Sequence, residues 1–235
     1  MNKISLVILA FGLSFSMQSQ TLIGAWESIL TTKEGKQLKN VVIFSESHQV
    51  STWFDAKTGA FVDTNGGAWF LDGKHITETI EFDTKVPERV GTQVSFEIEL
   101  SQNELKTKDS KRVWTRIDNG TPGELLGAWL MSGRKRNGAL QQRDTNRPRK
   151  TMKILSGTRF QWIAYNTETK EFSGTGGGTY STVDGKYIEN IEFFSRDDSR
   201  VGASLGFNFE LIDNAWHHSG LSSKGQPIYE IWSKR

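Results

Sequence analysis

Beyond residue 20 the chain sets apolar and polar residues side by side in short alternating runs, the period of half-buried strands rather than of helices. Lys39 to Ser45, His48 to Ala56 and Gly91 to Leu100 alternate in this way or are rich in valine, phenylalanine and tryptophan, and predict strands. Asp72-Gly73 and Asp184-Gly185 fall between such runs, where glycine supplies the positive φ of a tight hairpin turn. Gln102-Asn103 and Asp213-Asn214 mark a second pair of turns in corresponding places. Nothing after the first 20 residues shows helical periodicity. The pattern predicts an all-β protein.

Compared with itself at an offset of 111 residues, the middle of the chain repeats. Thr58 and Phe61 recur as Thr169 and Phe172, and Gly66-Gly67 as Gly177-Gly178. Glu78, Ile80, Glu81 and Phe82 recur as Glu189, Ile191, Glu192 and Phe193, and Phe96 as Phe207. Both copies open on Gly-Ala-Trp, at Gly24 and Gly127, and close on Trp114 and Trp232. Solenoid repeats run at roughly 20–50 residues, so a period this long implies duplicated domains. The expected division is 21–118 for the first unit, 119–124 for a linker and 125–235 for the second. Eight or nine short strands per unit predict a sandwich or, better, a closed antiparallel barrel. Closure removes exposed edges, and this chain has no cysteine with which to staple itself.

Residues 1–20 stand apart. Lys3 precedes an apolar run from Ile4 to Phe15, followed by the polar Ser16 to Gln20. That layout predicts a signal peptide, hence an exported protein, periplasmic or secreted, with no transmembrane segment after processing. The missing cysteines also exclude a thiolate zinc site and a cysteine nucleophile.

The Gly-x-Trp of each opening strand, with a basic residue near the tryptophan of the last, resembles the lipocalin (calycin) signature. The residues are Gly24 and Trp26 with Arg116, then Gly127 and Trp129 with Lys234 or Arg235. The stretch from Gly176 through Trp216-His217-His218 to Trp232 resembles a lipocalin-like β-barrel domain of unknown function found in secreted bacterial proteins. The resemblance implies two tandem antiparallel lipocalin-like barrels, each with its floor closed by tryptophan under a cation. It implies a ligand in a barrel mouth and brings no catalytic set with it.

The copies differ in ways that direct attention to the second. It has gained eight residues early, within Arg134 to Lys153, and seven late, around His217 to Pro227. The net charge of +2 conceals −3 over residues 21–120 and +4 over 121–235. Arg143, Arg147 and Arg149 in the early gain are candidate anion-binding residues, suited to an anionic surface or glycan, although exposed charges usually do nothing specific. Nucleic acid is not expected, because the patch lacks interleaved aromatics.

For the interior of the second barrel the candidate ligand-binding residues are Tyr180, Tyr187, Glu189, Trp216, His218 and Glu230. Trp216 and His218 share a strand face, so a core Trp216 turns His218 inward, and adjacent histidines cannot share one metal. Alternation puts Glu189, Ile191 and Phe193 on one face and Asn190, Glu192 and Phe194 on the other; whichever lines the interior brings in one glutamate, a candidate general acid or base or a structural partner of Arg200 or a tyrosine. Gly174-Thr175-Gly176-Gly177-Gly178 reads as a glycine-kinked barrel corner rather than a phosphate loop, which needs a following helix. No catalytic residue, metal or cofactor is assigned. The expectation is an exported, non-enzymatic protein that holds a small hydrophobic molecule in its second barrel. The alternatives are an isomerase or cyclase acting on a hydrophobic substrate, needing an inward pair such as Glu189 with His218, and a structural or adhesion module with plugged barrels.

Overall fold

Alternating runs become strands because each buries one face against a core that only ring closure completes. The computed structural model describes residues 21–235 apart from Asp109, Lys111, Ser223 and Lys224. The leader at 1–20, expected to be a signal peptide, lies outside the described residues. The first barrel is a closed antiparallel ring of β1 (Gly24–Thr31), β2 (Gln37–Phe44), β3 (His48–Asp55), β4 (Phe61–Asp72), β5 (His75–Asp83), β6 (Gln93–Leu100), β7 (Glu104–Thr107) and β8 (Val113–Asp118). The second contains β9 (Gly127–Arg136), β10 (Ala139–Gln142), β11 (Arg149–Leu155), β12 (Arg159–Asn166), β13 (Phe172–Val183), β14 (Lys186–Phe194), β15 (Ser204–Ile212), β16 (Ala215–Leu221) and β17 (Pro227–Lys234). Pairing of β9 with β17 closes this ring, and β10 forms a flap on the far end of β9.

The flap is the early insertion. In the first barrel β2 pairs with the whole of β1. In the second that side of β9 is shared, with β11 along Gly127–Leu130 and β10 along Gly133–Arg136.

The duplicated turns are not in the same register. The two-residue loop is Gly73-Lys74 in the first copy, with glycine leading (φ 59°), and Asp184-Gly185 in the second (φ 50° and 72°). A second difference from simple alternation lies in β14. Gly177 pairs with Phe193 and Gly178 with Ile191, so Glu192 is the extra residue of a β-bulge; Glu81 is its counterpart in β5. Glu189 and Ile191 face the interior, but after the bulge Phe193 joins the core between the barrels and Phe194 turns inward. The glycines permit this crossing: a Cβ on Gly178 would lie 2.0 Å from the Asn190 carbonyl oxygen. β13 runs on to Val183, so the Gly-rich stretch is strand with no helix behind it.

Each floor is built alike. The Trp26 indole N–H donates to the Leu22 carbonyl and that of Trp129 to Leu125, both at 2.9 Å. Arg116 lies 3.9 Å over the Trp26 ring. In the second copy the two basic candidates part company. Lys234 packs over Gly127 beside Trp129, whereas Arg235 leaves the barrel and holds both Glu81 carboxylate oxygens of the other one, at 2.8 Å each.

The barrels join through a third core made by their outer faces, including Val41, Ile43, Phe54 and Phe82 against Met152, Ile154, Tyr165 and Phe193. The contact is reciprocal. Phe54 stacks on Phe193 at 4.9 Å while their counterparts, Tyr165 and Phe82, meet at 4.9 Å. Phe61 meets its own counterpart, Phe172, at 5.9 Å. That is the self-complementary pattern of a twofold dimer, here inside one chain. At its centre Gln161 joins Thr52, Thr64 and Thr175 by side-chain hydrogen bonds of 2.7–3.1 Å. Asp118, at the end of β8, accepts from Ser156, Gly157 and Thr158 of the second barrel.

Candidate functional site at the mouth of the second barrel

Strand alternation decides what this mouth contains. Lys153 on β11, Glu189 on β14, His218 on β16 and Glu230 on β17 all line one cavity of about 220 Å³, with Met131, Trp162, Phe194, Phe207 and Trp232 among its apolar walls. Lys153 Nζ donates to Glu189 Oε1 at 2.7 Å, with both side chains nearly sealed from solvent. Aromatic rings surround the same ammonium: Tyr187 and Trp216 at 5.0 Å, Trp232 at 5.4 Å and Phe207 at 5.8 Å to ring centroids. Negative ring faces and a carboxylate together offset the desolvation of the charge.

His218 is the second polar element. Its Nδ1–H donates to Glu230 Oε2 at 3.2 Å. Burial, and then the nearby Lys153, push the His218 pKa down, so the ring is neutral around pH 7. Burial pushes Glu230 up, but the His218 hydrogen bond and Lys153 outweigh it and hold the carboxyl below its ordinary range. With Nδ1 carrying the proton, Nε2 is a bare acceptor. It is buried and has no hydrogen-bond partner among the described residues. The Trp216 indole N–H is likewise unpartnered. The Trp232 N–H and the Tyr187 hydroxyl lie against the Glu230 and Glu189 carboxylates without proper hydrogen-bond geometry. Four such groups in one interior are unusual, because buried polar atoms are nearly always satisfied.

Of the six interior candidates, Glu189, His218 and Glu230 line the cavity. Tyr187 and Trp216 pack beneath it, fully buried. Tyr180 sits at the opposite, closed end, its hydroxyl donating to the Ser156 carbonyl at 2.6 Å. The inward pair is not Glu189 with His218: each takes its own partner, Lys153 and Glu230. Nor does Arg200 reach Glu189; it pairs with Asp197 at 3.3 Å. His217 faces away and meets the Tyr229 hydroxyl at 2.7 Å.

Sequence reasoning missed Lys153. The clue was present: Val41-Val42-Ile43-Phe44 becomes Met152-Lys153-Ile154-Leu155 at the repeat offset, a lysine at a core position of an apolar strand.

The arginine candidates border a neighbouring basin. Arg143 and Arg149 line it with Arg134, and it shares Met131 with the cavity. Arg147 stands outside it, exposed, 3.8 Å from Asp144.

Against this geometry the comparisons with known proteins are silent: no protein-family model matches the chain and no curated protein does.

Proposed function

We propose that the protein is an exported, lipocalin-like binding protein that holds one small molecule in the mouth of its second barrel. The observation that carries this reading is the buried, unpartnered His218 Nε2 of a residue lining a cavity of about 220 Å³. A cavity of about 150 Å³ accommodates benzene, so the fitting ligand is a single substituted ring or a chain of similar bulk. Apolar walls with a few placed polar groups are how small-molecule sites are built. A hydroxyl or N–H at the ligand's inner end would satisfy His218 Nε2, while Trp162, Phe194, Phe207 and Trp232 enclose its body.

Native mass spectrometry with simple phenols and short-chain alcohols tests this. One-to-one adducts are expected, and Ile228→Trp, filling the cavity from its rim, should remove them. No adduct, or adducts indifferent to Ile228→Trp, would contradict the reading.

A second reading, proton transfer on the bound molecule, draws on the His218–Glu230 pair. A neutral imidazole anchored by a carboxylate, with its Nε2 unpartnered, is the arrangement of a general base. Deuterium incorporation into the C–H positions of a bound ligand, lost in His218→Gln, would support it. Release of an unexchanged ligand after long incubation would leave binding alone.

A further inference from the structure

The basin beside the cavity bears on which molecule enters. It measures about 410 Å³ and is lined by Met131, Gly133, Arg134, Gln141, Gln142, Arg143 and Arg149. Every one of those residues except Arg149 lies on β9, on β10 or just after it, and the pairing of β10 with the far end of β9 has no counterpart in the first barrel. Three guanidinium groups therefore converge where the copies diverge most. Among the described residues none of the three forms an ion pair within 4.0 Å. Two neighbouring acids are otherwise engaged: Glu230, whose backbone pairs with Arg134, turns its carboxylate to His218, and Asp144 faces Arg147. Burial, and then Arg149, Arg134 and Arg147, push the pKa of Arg143 below its usual value. Like charges held together in a partly shielded place are stabilised by an anion that arrives from outside.

Arg143 also connects the basin to the cavity. Its Nη1 lies 3.3 Å from Thr151 Oγ1 and 3.7 Å from Met131 Sδ, and both of those residues line the cavity. Basin and cavity adjoin across Met131, with cations lining the one and mostly apolar walls the other.

We infer that the ligand is a small amphiphilic anion, its apolar body inside the second barrel and its carboxylate, sulfate or phosphate held by Arg134, Arg143 and Arg149. This rests on the small-molecule reading above and adds the sign and position of the ligand's charge. An anionic group carried deeper would meet Glu189 and Glu230. In the basin it meets three guanidinium forks, which suit planar oxyanions.

Three phenols of matched body separate the two claims: 4-ethylphenol, 3-(4-hydroxyphenyl)propionate and tyramine, which end in a methyl, a carboxylate and an ammonium. Binding is read by tryptophan fluorescence and calorimetry at low and high salt. The carboxylate should bind about tenfold tighter than 4-ethylphenol, the worth of one charge-assisted hydrogen bond. Tyramine should bind weakest, and salt should erase the spread. Arg143→Gln with Arg149→Gln should bring the carboxylate down to the 4-ethylphenol level. His218→Ala should weaken all three alike. Equal binding of the carboxylate and 4-ethylphenol, or an arginine variant without effect, overturns the charge assignment while the cavity reading stands. If none of the three binds, both fall.

Discussion

The two barrels share a fold, a floor and an inward glutamate, and they differ in what surrounds that glutamate. In the first, Glu78 has no ion pair among the described residues: the position across from it that Lys153 holds in the second copy is Val42. The closing Trp114 donates its N–H to Asn40 at 2.7 Å, and Arg112 lies over the rings of Trp53 and Trp114 at 4.7 and 5.4 Å, across the mouth. In the second barrel the counterparts of Val42, Asn40, Thr107 and Arg112 are Lys153, Thr151, His218 and Glu230. Trp232 thereby loses the acceptor that Trp114 has, and the arginine plug becomes the acid that anchors His218. Four positions turn an interior whose closing tryptophan is partnered, and which leaves the Gln49 amide nitrogen bare, into one with four unpartnered polar groups.

The largest expected effect comes from making the second barrel resemble the first. Lys153→Met leaves Glu189 buried without its cation and should cost about 3–5 kcal/mol in urea unfolding. Adding Glu189→Leu should restore most of that loss, since a buried pair is often replaceable by apolar residues. A double variant as unstable as the single one would mean that the pair is not the relevant interaction.

Next comes Glu78. Burial, opposed in part by Arg89, pushes its pKa from 4.5 to about 7. The protonated form is the one the barrel accommodates, so stability is intact below pH 4.5 and declines as pH rises towards 7. Glu78→Gln should therefore stabilise by up to about 3 kcal/mol at pH 8 and change nothing at pH 4. Val42→Lys, which gives Glu78 the partner that Glu189 has, should flatten the same pH profile. An unchanged profile in both variants would deny Glu78 this role.

A smaller effect attaches to the tryptophans. Asn40→Ala strands the Trp114 N–H and should cost about 1–3 kcal/mol by chemical denaturation. Thr151→Asn offers Trp232 the missing acceptor, and should raise stability slightly while weakening ligand binding. Least of all, Arg147→Gln should stay within about 0.5 kcal/mol in stability, because its pair with Asp144 is exposed.

Much of this architecture was legible because strand period, turn residues and the repeat all reported the same thing. Gly24-Ala25-Trp26 and Gly127-Ala128-Trp129 marked both floors, and Trp216 correctly carried His218 inward. What stayed hidden depended on pairing across strands. The bulge at Glu192 sends Phe193 out and Phe194 in, which no period-two count reveals. The partners of Glu189 and His218 lie 36 and 12 residues away, on strands whose register only the closed ring defines. Arg235 was a candidate for the floor of its own barrel and instead bridges to Glu81, because the reciprocal packing of the barrels was invisible in the sequence.

The indole N–H resonances of the protein report which barrel holds the ligand. On titration with 3-(4-hydroxyphenyl)propionate, Trp162 and Trp232, which line the cavity, and the unpartnered Trp216 beneath it should shift. Trp26 and Trp114, bonded to Leu22 and Asn40 in the first barrel, should stay in place. Shifts confined to the first barrel's indoles, or no shift at any of them, would contradict the account.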